Sequence, residues 1–183
     1  MAQLSTDIII TLFLLISSDH IKKCLVKEIY IIKIAGLLGK TNQAKLEADV
    51  ARNLGYLAGL LNLASYKDAN EDEIIEHCEA IADIMPLIGF YLQPAVGGIV
   101  LSSNFWQQFS MIENVIAIKV APFNRYQTLD VLRGIALAKA ENRISVYTGN
   151  DDNIVMDLIT PYEVKRGDET VTLQIVGGLL GLS

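Results

Sequence analysis

Short apolar runs alternate with segments of helical period along most of this chain. The runs rich in β-branched residues predict six strands, at 29–38, 58–63, 87–91, 115–120, 144–147 and 171–176. Apolar positions three and four residues apart predict helices at 41–54, 70–85, 103–111, 128–140 and 152–159. Strands that alternate with helices are typical of βα repeats around a parallel sheet. At 183 residues, this α/β pattern favours either an open doubly wound sheet or most of a (β/α)8 TIM barrel.

The first apolar run, IIITLFLLI at residues 8–16, needs an interpretation of its own. A helix needs about 20 residues to span a bilayer. The preceding MAQLSTD carries an acid where a secretory signal has basic residues. We expect a buried strand or a short core helix here, with a peripheral hydrophobic anchor as the alternative. Since no linker-like stretch follows, residues 1–183 are predicted to form one domain, with 1–28 as an atypical N-terminal segment.

Composition narrows the class of partner. Hydrophobic residues make up 51% of the chain, enough for one sizeable core. The net charge of −6, without any run of Lys or Arg, argues against nucleic acid and against an anionic membrane surface. Cys24 and Cys78 form no CxxC pair, so neither a disulfide framework nor a zinc site is predicted, which fits the cytoplasm. The expected partners are small molecules or further copies of the chain.

One lysine interrupts an apolar strand. In VIAIKVA, side-chain alternation puts Lys119 on the same face as the small Ala117, and in LIGFY it puts Tyr91 on the same face as Gly89. Each strand would then present one polar group at its carboxyl end inside a barrel, where barrel enzymes carry out their chemistry. We therefore expect the Lys119 and Tyr91 side chains to face one pocket.

That pair has a chemical interpretation. Burial disfavours an ammonium, so the pKa of Lys119 should fall and a neutral amine should be available near pH 7. A neutral amine can attack a ketone to form a Schiff base, and a nearby phenol such as that of Tyr91 can relay protons. The alternative is a lysine that extends to solvent or pairs with Asp151 or Asp152, beside a tyrosine of the core or rim.

Three other motifs do not support a metal site or a phosphate-binding loop. His77 and Cys78 are adjacent in a helix and so do not share a face, which makes them a poor metal pair. The run NDD at 150–152 lacks the Gly and Glu of a calcium loop. GLLGKT has two residues between its glycines, where a phosphate-binding loop has four. We expect no metal and no other cofactor.

Five motifs follow one another in strand context: IAGLLGKTNQA, GFYLQPAVGG, VIAIKVA, YTGNDD and VGGLLG. In that order they resemble the dihydrodipicolinate synthase and N-acetylneuraminate lyase superfamily of class I aldolases. That family has an IAG strand and helix, a YNxPGRTG loop, a GIKE strand, an SGDD turn and a GGxG strand. The resemblance covers residues 29–181 and is strongest to a divergent branch described only as dihydrodipicolinate synthase-like.

The resemblance implies a TIM barrel that forms a Schiff base with a pyruvate-like 2-keto acid, as a lyase or aldolase. It makes Lys119 the Schiff-base lysine and Tyr91 the proton-relay tyrosine, the two catalytic positions. The substrate-binding positions that it implies are Tyr66, Gly149, Asn150, Asp151, Gly177 and Gly178.

The chain also departs from the family pattern. Leu92 replaces the Asn of the family motif, and the segment AVG replaces the GRT whose arginine contacts the substrate carboxylate. Our candidate for that contact is therefore Arg125 in the FNRYQT loop. Alternatively, Arg125 is a solvated arginine of the loop that contacts no substrate. Val120 replaces the glutamate beside the lysine, and the GTTGE motif that completes the family's proton relay is missing.

The first three dozen residues leave room for about one βα unit where two are expected, and the chain stops directly after its last strand. We therefore expect an incomplete barrel of about six or seven βα units. Unpaired strand edges favour a homo-oligomer. Two functions stay open: a Schiff-base lyase, or a truncated or diverged barrel without turnover that serves as a binding or assembly protein or is a gene fragment.

Overall fold

The structure, a computed structural model, describes residues 9–12 and 32–179. The strands of this part of the chain are β1 (Ile9–Leu12), β2 (Ile32–Leu37), β3 (Ala58–Leu61), β4 (Leu87–Leu92), β5 (Val115–Ala121), β6 (Ser145–Thr148), β7 (Tyr162–Arg166), β8 (Glu169–Leu173) and β9 (Ile175–Gly178). Its α-helices are α1 (Thr41–Asn53), α2 (Glu71–Ala82), α3 (Ser103–Met111), α4 (Arg125–Leu137) and α5 (Ile154–Ile159). Single 3₁₀ turns occupy Ala64–Tyr66 and Pro94–Val96.

Seven strands form one sheet in the order β1-β2-β3-β4-β5-β6-β9. The six from β2 onward run parallel, whereas β1 is antiparallel to β2, with Ile9 opposite Ala35. An α-helix lies between each consecutive pair of parallel strands, as the βα pattern predicts. Within the described residues β1 and β9 are the two edges of this sheet. The α/β class is thus confirmed, and within the described residues the sheet is open at both edges, as expected for an incomplete TIM barrel.

Most predicted elements are confirmed, with two instructive differences. The predicted strand at 171–176 is wrong as a single element, because β8 pairs antiparallel with β7 in a separate hairpin while β9 joins the main sheet. Helix α4 begins at 125 and not at 128, because the Asn124 side chain accepts hydrogen bonds from the N–H groups of Tyr126 and Gln127.

The apolar run at 8–16 lies partly outside the described residues. Its described part, Ile9–Leu12, is a strand and not a helix. It pairs directly with the strand that follows it in the described chain. The remainder of the run, like residues 29–31 of the first predicted βα strand, lies outside the described residues.

The main sheet has two apolar faces, which differ in what covers them. The helix face packs against α1 to α4 in the main core, through Leu37, Leu61, Leu87, Ile118 and Val146. The inner face, which corresponds to the interior of a barrel, carries a smaller buried cluster of Ile34, Ala58, Leu60, Ile88 and Ala117. Half-buried Phe90 and Tyr147 border that cluster near the carboxyl ends of their strands.

Candidate functional site

Lys119 lies on the inner face near the carboxyl end of β5 and is half-buried. The strand register pairs it with Phe90 on β4 and with Tyr147 on β6. Its Nζ is 4.6 Å from the centroid of the Phe90 ring, within cation–π range. Desolvation by burial lowers the pKa of Lys119, and the charge of Asp151 opposes part of that shift. The amine is therefore easier to deprotonate than that of an exposed lysine.

Gly149 brings the backbone of the turn after β6 against the stem of this lysine. A Cβ at Gly149 would lie 2.9 Å from Lys119 Cε and 3.1 Å from the Ala121 Cβ, closer than ordinary van der Waals contact. The Gly149 N–H donates to the Val120 carbonyl at 2.7 Å, which joins the turn to β5. The predicted turn thus lies beside the predicted nucleophile.

A buried carboxylate holds that turn in place. Asp157 of α5 accepts hydrogen bonds from the Thr148 hydroxyl at 2.6 Å, the Asn150 amide at 3.0 Å and the Tyr162 hydroxyl at 3.2 Å. Sequence reasoning missed Asp157, although an acid between apolar residues in IVMDLI was the available signal. The Asp157 hydrogen bonds satisfy buried polar groups on both sides of Gly149.

Asn150, a predicted substrate-binding residue, makes its side-chain hydrogen bonds within the fold. Its side chain is buried, donates to Asp157, and accepts the Phe123 N–H at 2.9 Å through Oδ1. Both ends of the amide are therefore used within the fold. Asp151, the next residue, is exposed and affects Lys119 through its charge.

Arg125 is the first residue of α4 and directly follows the loop after β5. A guanidinium nitrogen lies 4.0 Å from Asp157 Oδ1, and the Arg125 side chain is 47% exposed whereas that of Asp157 is 4% exposed. One side of the guanidinium therefore faces the buried carboxylate, while the rest is open to solvent. This position leaves donors free for an anion.

The prediction that Tyr91 and Lys119 face one pocket is wrong, because their side chains lie on opposite sides of the sheet. Its ring lies in the helix-face core, 5.0 Å from that of Trp106. Its hydroxyl donates to the Leu101 carbonyl at 3.4 Å and accepts the Leu101 N–H at 3.2 Å. In the register, Tyr91 pairs with Val120, and Phe90 takes the place beside Lys119.

The physical reason lies in the packing and the register of β4. The register shifts between Leu87 and Ile88, because β5 contains the extra residue Ile116 at this point. Gly89 leaves space on the helix face, where an added Cβ would lie 2.7 Å from a ring carbon of Phe109. The small residue thus accommodates an aromatic ring of α3 and does not open a pocket on the inner face.

Tyr66 makes its side-chain hydrogen bonds and ring contacts with residues other than Lys119. Its hydroxyl bonds to Thr41 Oγ1 at 2.7 Å, and its ring lies 4.3 Å from that of His77 and under the ammonium of Lys40. These residues border a cavity of about 420 Å³, lined by Lys40, Thr41, Tyr66, Ala69, Glu73, Glu76 and His77. Burial, with a smaller contribution from Lys40, lowers the pKa of His77 to about 4. The contacts of Tyr66 thus belong to the helix layer.

The two glycines predicted from the last strand have different surroundings. A Cβ at Gly177 would lie 3.1 Å from two ring carbons of Tyr147, its partner in the register. A Cβ at Gly178 would lie 2.7 Å from the Cδ1 of Ile154 in α5. Gly177 therefore makes room for a ring next to Lys119, whereas Gly178 makes room for α5.

Across residues 9–12 and 32–179, no three His, Cys, Asp or Glu residues are grouped so that they could hold a metal ion. No helix in the described part of the chain combines the length and the hydropathy needed to cross a bilayer. Cys78 is buried, and burial raises the pKa of its thiol.

The fold and the site define an α/β protein of the TIM-barrel class with a half-buried lysine at the carboxyl end of one strand. No protein-family model matches the sequence. The 4-hydroxy-tetrahydrodipicolinate synthase of Staphylococcus saprophyticus is 29% identical over 124 residues, which are 67% of this chain and 41% of that protein. The chain thus spans about two fifths of the length of this curated relative.

Solved structures share the fold of this chain. The dihydrodipicolinate synthase of Thermotoga maritima has a TM-score of 0.56 at 20% identity, over 66% of this chain and 41% of that one. The chloride-inhibited dihydrodipicolinate synthase of Acinetobacter baumannii, complexed with pyruvate, has a TM-score of 0.55 at 26% identity, over 66% and 40%. Together these comparisons confirm the resemblance to the dihydrodipicolinate synthase and N-acetylneuraminate lyase superfamily.

Proposed function

We propose that this chain carries the Schiff-base centre of a class I aldolase or lyase that acts on a pyruvate-like 2-keto acid. The observation that carries the proposal is the position of Lys119: half-buried on the inner face, near the carboxyl end of β5, with a lowered pKa. The A. baumannii relative, which is complexed with pyruvate, supports a 2-keto acid as the substrate class.

The chemistry begins with the neutral amine of Lys119, which adds to the keto carbon to give a carbinolamine. Loss of water then gives an iminium ion, which withdraws electrons from the neighbouring carbon so that a C–H or C–C bond there can break. The Phe90 ring lies 4.6 Å from the lysine nitrogen, where its face favours the positive charge of the iminium.

The carboxylate of the substrate needs a donor. Arg125 is our proposed contact, because its guanidinium is half-exposed and its pairing with Asp157 is long, at 4.0 Å. A bidentate guanidinium suits a planar carboxylate.

Borohydride trapping tests the proposal directly. Wild-type chain treated with pyruvate and borohydride should gain the mass of one reduced pyruvyl group at Lys119, and Lys119→Met should gain none. Lys33→Met is the matched control, since Lys33 also lies on a strand but is exposed and donates to the Leu54 carbonyl at 3.0 Å; it should trap normally. The trapping rate should rise with pH, with a midpoint below the ordinary value of 10.5.

Failure of the folded chain to form an adduct would contradict the proposed function. If circular dichroism shows a folded chain that forms no adduct at any pH, the Schiff-base function is wrong. The second function, a diverged barrel that binds or assembles without turnover, would then be favoured.

A homo-oligomer and a cytoplasmic location complete the proposal. Leu46 and Val50 on α1 are exposed, as is Leu54, which follows the last residue of that helix, and these apolar side chains support a contact surface. Size-exclusion chromatography at increasing concentration tests the oligomer, and a single monomeric peak throughout would contradict it.

A further inference from the structure

Tyr147 is the phenol that shares the inner face with Lys119. The two residues are direct partners in the parallel register of β5 and β6, so their backbones lie about 4.8 Å apart. Tyr147 packs against the inner-face cluster, Lys119 lies over the Phe90 ring at its border, and both residues are half-buried. The face that Tyr91 was predicted to share with Lys119 is therefore occupied by a different tyrosine.

The surroundings of Tyr147 fit a group that meets a ligand. On its other side Tyr147 pairs with Gly177, where an added Cβ would lie 3.1 Å from the ring. Gly149 likewise leaves space for the stem of Lys119. Two glycines thus make room for the two polar side chains on this part of the inner face. Because burial raises the pKa of Tyr147, its hydroxyl keeps its proton at neutral pH.

Tyr91 is less suited to this task. Its hydroxyl lies in the helix-face core, where it exchanges hydrogen bonds with the backbone of Leu101. A group that transfers protons to a ligand must come within hydrogen-bond reach of it. A phenol on the opposite face of the sheet from Lys119 does not meet that requirement.

We propose that Tyr147 transfers protons in Schiff-base chemistry at Lys119, an inference that rests on the proposed function. Its hydroxyl donates a proton to the carbinolamine oxygen, so that the C–O bond breaks and water leaves. The resulting phenolate takes a proton from C3 of the iminium, and the electrons of that C–H bond form the C2–C3 double bond of an enamine. Reversal of this step returns a proton to C3, and in deuterated water it returns a deuteron.

Exchange of the C3 protons of pyruvate in deuterated water measures this step, followed by proton NMR. Tyr147→Phe should slow the exchange catalysed by the chain about 100-fold, the usual scale for a positioned acid or base. The rate with Lys119→Met is subtracted as background. Borohydride should still trap the same adduct in Tyr147→Phe after longer incubation, because the amine is intact.

Two further tyrosine variants separate the role of Tyr147 from a general effect of losing a hydroxyl. Tyr126→Phe is the matched control, since Tyr126 is 80% exposed; its exchange rate should equal that of the wild type. Tyr91→Phe should also exchange at the wild-type rate, because its hydroxyl bonds to the backbone of Leu101.

Gly177→Ala provides a second test that keeps the hydroxyl. The added methyl group would displace the Tyr147 ring, so exchange should slow while trapping continues.

The outcomes of these experiments distinguish the proposed function from the role of Tyr147. Wild-type chain that forms no adduct overturns the proposed function and this inference together. Normal exchange in Tyr147→Phe with normal trapping overturns the role of Tyr147 alone, as does slow exchange in Tyr91→Phe but not in Tyr147→Phe.

Discussion

The two faces of β4 place adjacent aromatic residues in opposite surroundings. Phe90 points to the inner face and lies against the ammonium of Lys119. Tyr91 points to the helix face, where its ring packs on Trp106 and its hydroxyl bonds to the backbone of Leu101. The phenol is thus a satisfied core group, whereas the inner face carries polar groups beside glycine.

The same contrast holds for the whole sheet. His77 in α2 hydrogen-bonds to Thr41 of α1 through one ring nitrogen, and Asn150 in the turn after β6 hydrogen-bonds to Asp157 and to the Phe123 N–H, so both join elements of the fold. Tyr147 borders a small apolar cluster on the inner face and Lys119 lies over the neighbouring Phe90 ring, with one glycine beside each. A polar residue in an apolar strand therefore indicates function only once its face is known.

Trp106→Ala should have the largest effect of the variants that test this contrast. Trp106 is 1% exposed and contacts the rings of Tyr91, Phe105 and Phe109. Removing its side chain should lower the free energy of unfolding by about 3–5 kcal/mol in a urea titration. Tyr126→Ala, at an exposed position on α4, should change it by less than about 0.5 kcal/mol. A loss below about 1 kcal/mol for Trp106→Ala would show that the helix-face core is not tightly packed.

His77 should make stability depend on pH. Because burial lowers its pKa to about 4 from an ordinary 6.5, the unfolded chain binds a proton between those values and the folded chain does not. Stability is therefore lost as the pH falls from 6.5 to 4. His77→Asn, which can still bond to Thr41, should lose less over that window, by on the order of 2 kcal/mol in urea titrations. Equal losses in both proteins would contradict a neutral, buried His77.

Gly149→Ala should slow the chemistry of Lys119, whereas Gly178→Ala should not. The new methyl group would lie 2.9 Å from Lys119 Cε, so the flexible lysine should move and borohydride trapping should slow about tenfold, or about 1.4 kcal/mol. The free energy of unfolding should fall by about 1–3 kcal/mol, since the methyl group would also lie 3.1 Å from the Ala121 Cβ and from the Leu179 carbonyl oxygen. Gly178→Ala is the matched control, since its methyl group meets Ile154 of α5. Trapping at the same rate in both variants would remove Gly149 from the site.

The order of elements and the position of Lys119 could be predicted from the sequence. Local periodicity predicts βα repeats, and alternation along β5 correctly places Lys119 with Ala117 on the inner face. The same reasoning wrongly placed Tyr91 in β4 with Lys119, because alternation within one strand does not say which face meets its neighbour. The strand predicted at 171–176 was divided for a similar reason, since pairing with β7 is a property of two strands together.

The sequence by itself determined the α/β repeat, the family resemblance and the lysine, because these depend on neighbours along the chain and on motif order. Only the tertiary structure decided which tyrosine lies beside that lysine. The extra residue in β5 sets the register, and the ring of Phe109 fills the space above Gly89. Both are contacts between residues distant in sequence, and they turn Tyr91 toward the helices while the register leaves Tyr147 next to Lys119.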